Sequence, residues 1–379
     1  MSIKSVILIG LVVGESSGDL LGAGLISALR SKLSNVRFIG IAGPRMKCEG
    51  MESWYNMEEL SIVGITEVIV RIPRILHIRK DLIRRFSILK PDVFIGIDSP
   101  DFTISLERSL RKRGIRTIHY VSPSIWAWRK KRIFKLALAA DNILSFLPFE
   151  KMLYDQLNIP CQFVGHALAD LLPLDPDKLA ARRELGIPFN VRCLVILPGS
   201  RRNEIKMLTN DFLHCARLLI KKFPELEILV SLTDDSIINE FQKIYAKDMK
   251  LRILNNQSHQ AMIAADVALL ASGTATLECM LAKCPMVVAY RVKSLTFMLL
   301  KILVKTPWIS LPNLLAGREL VKEFIQDSCH PENLEQALTF LLENVHHRSV
   351  LKKTFRILHQ QIRCNANEKA ADAVLRLIN

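Results

Sequence analysis

Short apolar runs alternate along this chain with longer stretches whose apolar residues return every three or four positions. In the first half the runs lie at residues 6–13, 37–41, 92–97, 117–121, 142–146 and 162–164, and helical periodicity fills 20–33, 74–88, 102–112, 130–139 and 150–157. Residues 165–190, with Pro173, Pro176 and Pro188, interrupt the rhythm. It resumes with strand-like runs at 194–197, 227–232, 252–254, 267–270 and 286–289, and residues 331–379 read as helices. Alternation of this kind predicts parallel βαβ units and doubly wound sheets. The fold class expected is α/β, with two Rossmann-like halves joined near residue 170. The expected domains are 1–168, 169–349 and a helical 350–379 that packs back on the first domain or on a second subunit.

Composition narrows the picture. A length of 379 residues suits two domains, and 50% hydrophobic residues supply a large core. The net charge of +15, from 52 basic and 37 acidic residues, points to an anionic partner: nucleic acid, nucleotide or an acidic membrane surface. Eight cysteines show no CxxC and no histidine at zinc spacing, so they read as free thiols in a reducing cytoplasm. The apolar run at 6–13 is short and no small-x-small cleavage pattern follows, so it reads as a buried strand rather than a signal peptide. No uninterrupted apolar run reaches the ~18 residues of a membrane span. Neither half carries G-x-G-x-x-G at its first turn, which argues against a dinucleotide cofactor.

Two strand-to-loop transitions in the second half describe a nucleotide-diphosphate site. Residues 194–197 run into Pro198-Gly199-Ser200-Arg201, and 267–270 into Ser272-Gly273-Thr274 and a helix. Amides at a helix start, unobstructed at Gly273, suit a phosphate. Arg201 adds a cation with forked donors. Glu278, about one turn past Thr274, is placed to accept hydrogen bonds from both ribose hydroxyls. Either loop alone also reads as an ordinary turn capped by Ser272 or Thr274.

In the first half, Gly14-Glu15-Ser16-Ser17-Gly18 matches G-x-S-x-G, so a serine hydrolase with Ser16 as nucleophile is an alternative. Against it, an elbow on the first strand has no earlier loop to complete an oxyanion hole. The same turn reads as a substrate-binding loop in which Glu15 and Asp19 accept from sugar hydroxyls, or as a helix start capped by Ser17 or Asp19. Asp98 ends the apolar run at 93–97 and is a candidate general base, while Asp101 reads as the cap of the next helix. His119 either orients a substrate or is satisfied in the core. Asp175-Pro176-Asp177 has the spacing of a metal-binding D-x-D, but it precedes a helical run and reads as capping; no metal is expected.

Two basic, apolar stretches suit the interface of an anionic membrane. Residues 65–90 set Ile69, Ile72 and Leu76 among Arg71, Arg74 and Arg79, and residues 291–308 set Phe297 and Leu300 among Lys293, Lys301 and Lys305. The alternative is a core helix with a solvated charged face. Trp126, Trp128 and the basic run 129–132 could stack bases and pair phosphates, but no nucleic-acid module surrounds them, and no nucleic acid partner is expected.

Together these motifs resemble the lipid-A-disaccharide synthase family, inverting glycosyltransferases of the GT-B fold in Gram-negative bacteria. The resemblance runs almost end to end. It is carried by residues 14–19, 96–102, 119–124 with Trp126-Ala127-Trp128-Arg129, 197–201, 272–278, and Leu311-Pro312-Asn313-Leu314-Leu315-Ala316-Gly317. Ser16 and Ser99 stand where alanine is expected, and Arg202-Asn203 varies the residues after Arg201. The resemblance implies two Rossmann-like domains facing a cleft. It implies transfer from UDP-2,3-diacylglucosamine to 2,3-diacylglucosamine 1-phosphate, giving a β-1,6-linked disaccharide 1-phosphate and UDP, with no cofactor. Asp98 would be the base. Ser200, Arg201, Ser272, Gly273, Thr274, Glu278 and Asn313 would serve the donor, and Glu15, Ser17, Asp19, His119 and Ser122 the acceptor. Ile69, Ile72, Leu76, Phe297 and Leu300 would meet acyl chains or membrane. A homodimer on the inner face of the inner membrane is expected. Another GT-B enzyme using a UDP-sugar is the alternative.

Overall fold

The structure is a computed structural model that describes residues 6–60, 65–123, 130–246, 249–292, 297 and 306–378, with backbone alone at 65–71 and 130–132. The chain forms two compact units, Met1–Asp170 with Ile362–Asn379, and Leu171–Gln361.

The first unit is built on β1 (Ile7–Val13), β2 (Val36–Ala42), β3 (Glu52–Asn56), β4 (Val93–Ile97), β5 (Thr117–Tyr120), β6 (Asn142–Ser145) and β7 (Cys161–Phe163). They form one sheet in the order β3-β2-β1-β4-β5-β6-β7, and every pairing is parallel. The helices between them are α1 (Ser16–Lys32), α2 (Pro44–Cys48), α3 (Ile65–Leu89), α4 (Pro100–Arg111), α5 (Lys130–Ala137) and α6 (Pro148–Asp155), followed by α7 (Ala167–Leu171). Helices on both faces explain why β4 is buried at all five positions and carries no polar residue. The chain order reverses between β1 and β4, whose ends lie level, Val13 opposite Ile97.

The second unit repeats the plan. Its strands are β8 (Cys193–Leu197), β9 (Glu227–Leu232), β10 (Arg252–Asn255), β11 (Val267–Ala271), β12 (Met286–Tyr290) and β13 (Lys322–Ile325), in the parallel order β10-β9-β8-β11-β12-β13. The helices are α8 (Lys178–Glu184), α9 (Arg202–Lys222), α10 (Asp235–Ile244), α11 (Ser258–Ala264), α12 (Thr274–Leu281), α13 (Leu311–Ala316), α14 (Pro331–Glu343) and α15 (Val345–Ile362). The reversal falls between β8 and β11, with Leu197 opposite Leu270. In parallel sheets such reversals open a crevice at the carboxyl ends of the strands, where ligands bind.

The last helix, α16 (Ala366–Ile378), belongs to the first unit. Its Ala366, Ala370, Ala371 and Val374 are buried in that unit's core, and Lys32 of α1 pairs with Glu368 at 2.9 Å and Asp372 at 2.6 Å. Gly24 of α1 lets the helices approach: a Cβ there would stand 2.4 Å from the Asn367 amide. The divisions thus fall at 170/171 and 361/362, where the sequence pattern suggests 168/169 and 349/350. The D-x-D carboxylates both serve the second unit's framework. Asp175 pairs with Arg356 of α15 at 2.8 Å, and Asp177 caps α8 through the amide of Ala180 at 2.9 Å.

Candidate active site

At the first unit's reversal, the loops leaving β1 and β4 touch. A Cβ on Gly14 would lie 2.2 Å from the Ser99 hydroxyl, so only glycine fits there. The Ser17 hydroxyl donates to the Asp98 carboxylate at 3.5 Å. Asp98 is half-buried, and Glu15, Ser16 and Ser17 are exposed. The backbone here is strained. Asp98 (φ 54), Ser99 (φ 46) and the β-branched Val121 (φ 82) all take positive φ at the carboxyl edge of β4 and β5. Such residues cost on the order of 1–3 kcal/mol each and persist only where their surroundings hold them. Buried Thr103 supplies part of that hold: its hydroxyl donates to the carbonyls of Asp98 (2.9 Å) and Ser99 (3.1 Å). Ser99, not Asp101, is the cap position of α4.

Three residues expected at the acceptor are engaged elsewhere. Asp19 is 3% exposed and accepts from the amides of Arg45 (2.9 Å) and Met46 (3.1 Å), closing the start of α2. His119 is fully buried. Its Nδ1 lies 2.8 Å from Glu107 of α4, also fully buried, and burial pushes the Glu107 carboxyl above its usual range. Gly96 makes room for that carboxylate, because a Cβ would stand 2.1 Å from its Oε1. Ser122 is buried and shares a 3.0 Å hydrogen bond with the Tyr154 hydroxyl. These side chains are buried and bonded to neighbours within the fold.

Ser16 does not have an elbow's geometry. It is the first residue of α1, lies outside the positive-φ residues, and among the described residues bonds to no histidine. Glu15 is the cap position of α1, without a side-chain cap bond. The loop at 14–19 is therefore shorter than its sequence suggests, because α1 begins at Ser16 and buries Gly18 and Asp19.

At the second unit's reversal, the two loops differ. The turn after β8 is closed by its own helix: Glu204 of α9 accepts from the amides of Ser200 (3.0 Å) and Arg201 (3.2 Å). Gly199, at φ 127, makes space for it, since a Cβ would meet Glu204 at 2.4 Å. The Ser200 and Arg201 amides are therefore occupied, while the Arg201 guanidinium, 77% exposed, lies 3.8 Å from the same Glu204 carboxylate. The start of α12 is open instead. Gly273 is its cap position, no side chain caps it, and a Cβ on Gly273 would meet nothing within 4 Å. Thr274 is exposed beside it. The Ser272 hydroxyl donates to the Ile309 carbonyl at 3.1 Å and so braces the loop.

Glu278, one turn into α12, has a partner the sequence did not suggest. Its Oε2 lies 3.0 Å from Nε2 of His259 on α11. Asn313, expected at the donor, is fully buried and completely bonded. It donates to the Val321 carbonyl (2.9 Å) and Glu323 (2.8 Å) and accepts from the amides of Leu320 (2.7 Å) and Val321 (2.9 Å). Glu323 also accepts from the amides of Ile309 (2.8 Å) and Ser310 (2.9 Å). Asn313 is thus a strut that fixes the loop against which Ser272 rests.

Of the apolar residues expected at a membrane, Ile72 is 42% and Leu76 39% exposed, and Phe297 is half-buried. Leu300, the side chain of Ile69 and the stretch 124–129 with both its tryptophans lie outside the described residues.

The sequence profile of the lipid-A-disaccharide synthetase family matches residues 9–374. This chain belongs to that family. Relatives named lipid-A-disaccharide synthase include that of Blochmanniella pennsylvanica, 64% identical over 98% of this chain and 96% of the relative. That of Sodalis glossinidius is 63% identical over 98% of both chains, and that of Salmonella typhimurium 58% identical over the whole of both. The protein is accordingly a glycosyltransferase of lipid A biosynthesis, acting on sugar-nucleotide and sugar-phosphate substrates. Among solved structures, UDP-GlcNAc 2-epimerase from Neisseria meningitidis, bound to UDP-GlcNAc, superposes with a TM-score of 0.66 at 14% identity, covering 98% of this chain and 99% of that one. A calicheamicin glycosyltransferase gives 0.58 at 14% identity over 98% of both. At such identity they establish the fold, the two Rossmann-like units of the GT-B class.

Proposed function

We propose that the protein transfers the sugar of UDP-2,3-diacylglucosamine to the 6-hydroxyl of 2,3-diacylglucosamine 1-phosphate, releasing UDP and inverting the anomeric carbon. The observation that carries this reading is the pairing of chemistry with topology. A strained, half-buried carboxylate, Asp98, stands at one sheet reversal, and an uncapped helix start with Glu278 one turn on stands at the other.

In this reading Asp98 accepts the proton of the acceptor 6-hydroxyl as that oxygen attacks the anomeric carbon. The bond to the diphosphate breaks on the opposite side, and charge grows on the leaving phosphate. The amides opening α12 and the Arg201 guanidinium meet that charge with fixed dipoles and a cation, so no metal or other cofactor is required. Glu278 holds the ribose hydroxyls. Ser17 steadies Asp98, and Glu15 is exposed beside it at the cap position of α1.

Among the described residues no helix is long and apolar enough to cross a membrane. Substrates with acyl chains still require the protein to work at a lipid surface. Exposed Ile72 and Leu76 on basic α3, with the net charge of +15, support peripheral attachment to the anionic inner face of the inner membrane. Assembly as a homodimer rests on the family resemblance.

The test is transfer in detergent with EDTA present, using labelled acceptor and reading the product's anomeric configuration by NMR. A β-1,6-linked disaccharide 1-phosphate is expected. Product only after magnesium is added would overturn metal independence, and an α-linkage would overturn inversion.

A further inference from the structure

Glu278 has been read as the ribose carboxylate, but a carboxylate one turn into a helix has rotamer freedom and must be aimed. Two features bear on how it is aimed. His259 sits in the first turn of α11, on the helix that leads into β11, and its Nε2 is 3.0 Å from Glu278 Oε2. The ring is 39% exposed and the carboxylate 21%, so the pair lies at the surface where a ligand can reach it, unlike the sealed Glu107–His119 pair.

The surroundings single out this contact. The elements packed against α11 are α8, β8, β9, β10 and α12. On α8, Lys178 and Arg182 turn to Asp266, Arg183 to the Leu179 carbonyl, and Glu184 to Gln260. Glu227 of β9 pairs with Lys250, and Arg252 of β10 is bonded to the carbonyls of Leu185 and Gly186. Among the described residues, Glu278 is the charged group hydrogen-bonded to the His259 ring.

We propose that His259 is a positioning residue for the nucleoside: by holding one oxygen of Glu278 it fixes the plane of the carboxylate and turns the other oxygen to the ribose diol. The inference rests on the ribose role of Glu278 given above. An ionised carboxylate offers about four acceptor directions, so one bond to the ring leaves capacity for two hydroxyls. The ring donates to Glu278 as the cation, most strongly, and when neutral only in the tautomer with the proton on Nε2. Glu278 in turn raises the His259 pKa above its ordinary value, chiefly through the hydrogen bond. The aim is therefore tightest with the ring protonated, and the His259 contribution to nucleotide affinity falls as pH rises through its titration.

The probe is UDP, titrated by calorimetry between about pH 5 and 8, with inorganic pyrophosphate as a second ligand that lacks ribose. His259→Ala is expected to weaken UDP roughly tenfold, to raise donor KM with kcat little changed, and to leave pyrophosphate binding intact. His259→Gln, whose amide can donate to Glu278, is expected to recover most of the affinity and to lose the part of the pH dependence that comes from the ring, keeping that of the UDP terminal phosphate, which ionises at about pH 6. Unchanged UDP affinity in His259→Ala, an equal loss for pyrophosphate, or a wild-type pH profile in His259→Gln would each overturn the proposal. Glu278→Ala separates the two levels. Normal UDP affinity in that variant sinks the ribose role itself, whereas a weakened Glu278→Ala beside a normal His259→Ala sinks only the role of His259.

Discussion

The Ser17 hydroxyl donates to the Asp98 carboxylate across 81 residues of sequence, at 3.5 Å. That contact joins the start of α1 to the end of β4, with the carboxylate at the reversal of the first sheet. Asp98→Asn is nearly isosteric but is not a base. It is expected to lower kcat by about 10²–10⁴-fold while UDP affinity stays at the wild-type value. Ser17→Ala removes one long hydrogen bond and is expected to lower kcat by less than about tenfold. Steady-state kinetics beside UDP calorimetry check both. Full turnover in Asp98→Asn would end its assignment as the base.

Gly273 offers a cleaner separation of folding from binding. Its φ of 162 is extended backbone open to any residue, and a Cβ there meets nothing within 4 Å. Gly273→Ala should therefore fold with an unchanged melting temperature. The added methyl would stand where the diphosphate approaches the α12 amides, and UDP affinity is expected to fall roughly tenfold or more. Wild-type affinity in this variant would place the diphosphate elsewhere.

The strut role of Asn313 predicts the opposite pattern. Asn313→Ala leaves the Glu323 carboxylate, two amides and a carbonyl short of a partner. Urea unfolding of the second unit should show a loss on the order of 3 kcal/mol. Below the unfolding transition, donor KM should change far less than in Gly273→Ala. A large change in KM at unchanged stability would restore Asn313 to the ligand.

For the Glu107–His119 pair, removing one partner strands the other in the core. His119→Ala is expected to cost about 3 kcal/mol or more. The double replacement of Glu107 and His119 by leucine should recover much of that, because both groups pay no desolvation once they are gone. Acceptor KM, measured where the proteins are folded, should stay near the wild-type value. A selective rise in acceptor KM for His119→Ala would return this side chain to the substrate.

The central strands were readable because they are apolar throughout: β4 and β11 carry only residues that a doubly covered sheet accepts. Two of the four edge strands carry no such run. Glu52-Ser53-Trp54-Tyr55-Asn56 of β3 and Lys322-Glu323-Phe324-Ile325 of β13 are short and mostly half-buried, so neither makes a continuous apolar run. The site shows a similar division. Gly14 and Gly199 are legible because a turn leaving a strand leaves little room for a Cβ, and Asp98 and Gly273 because they follow apolar strands at their carboxyl ends. Asp19, His119, Ser122 and Asn313 are polar residues in the same motifs, but whether such a side chain faces a ligand or the interior depends on packing partners far along the chain. His259 carried no signal, since its relation to Glu278, 19 residues on, exists only after α11 and α12 have packed.

One consequence of α16 belongs to the order of synthesis rather than to the finished molecule. The seven strands of the first sheet are synthesised before residues 171–361, yet the helix that covers α1 follows those residues. At the ordinary pace of translation that is a delay of roughly 10–40 s. Throughout it, the nascent chain holds a sheet already able to pair its strands and an apolar seat on α1 with no occupant, a face presented to chaperones until the final helix arrives.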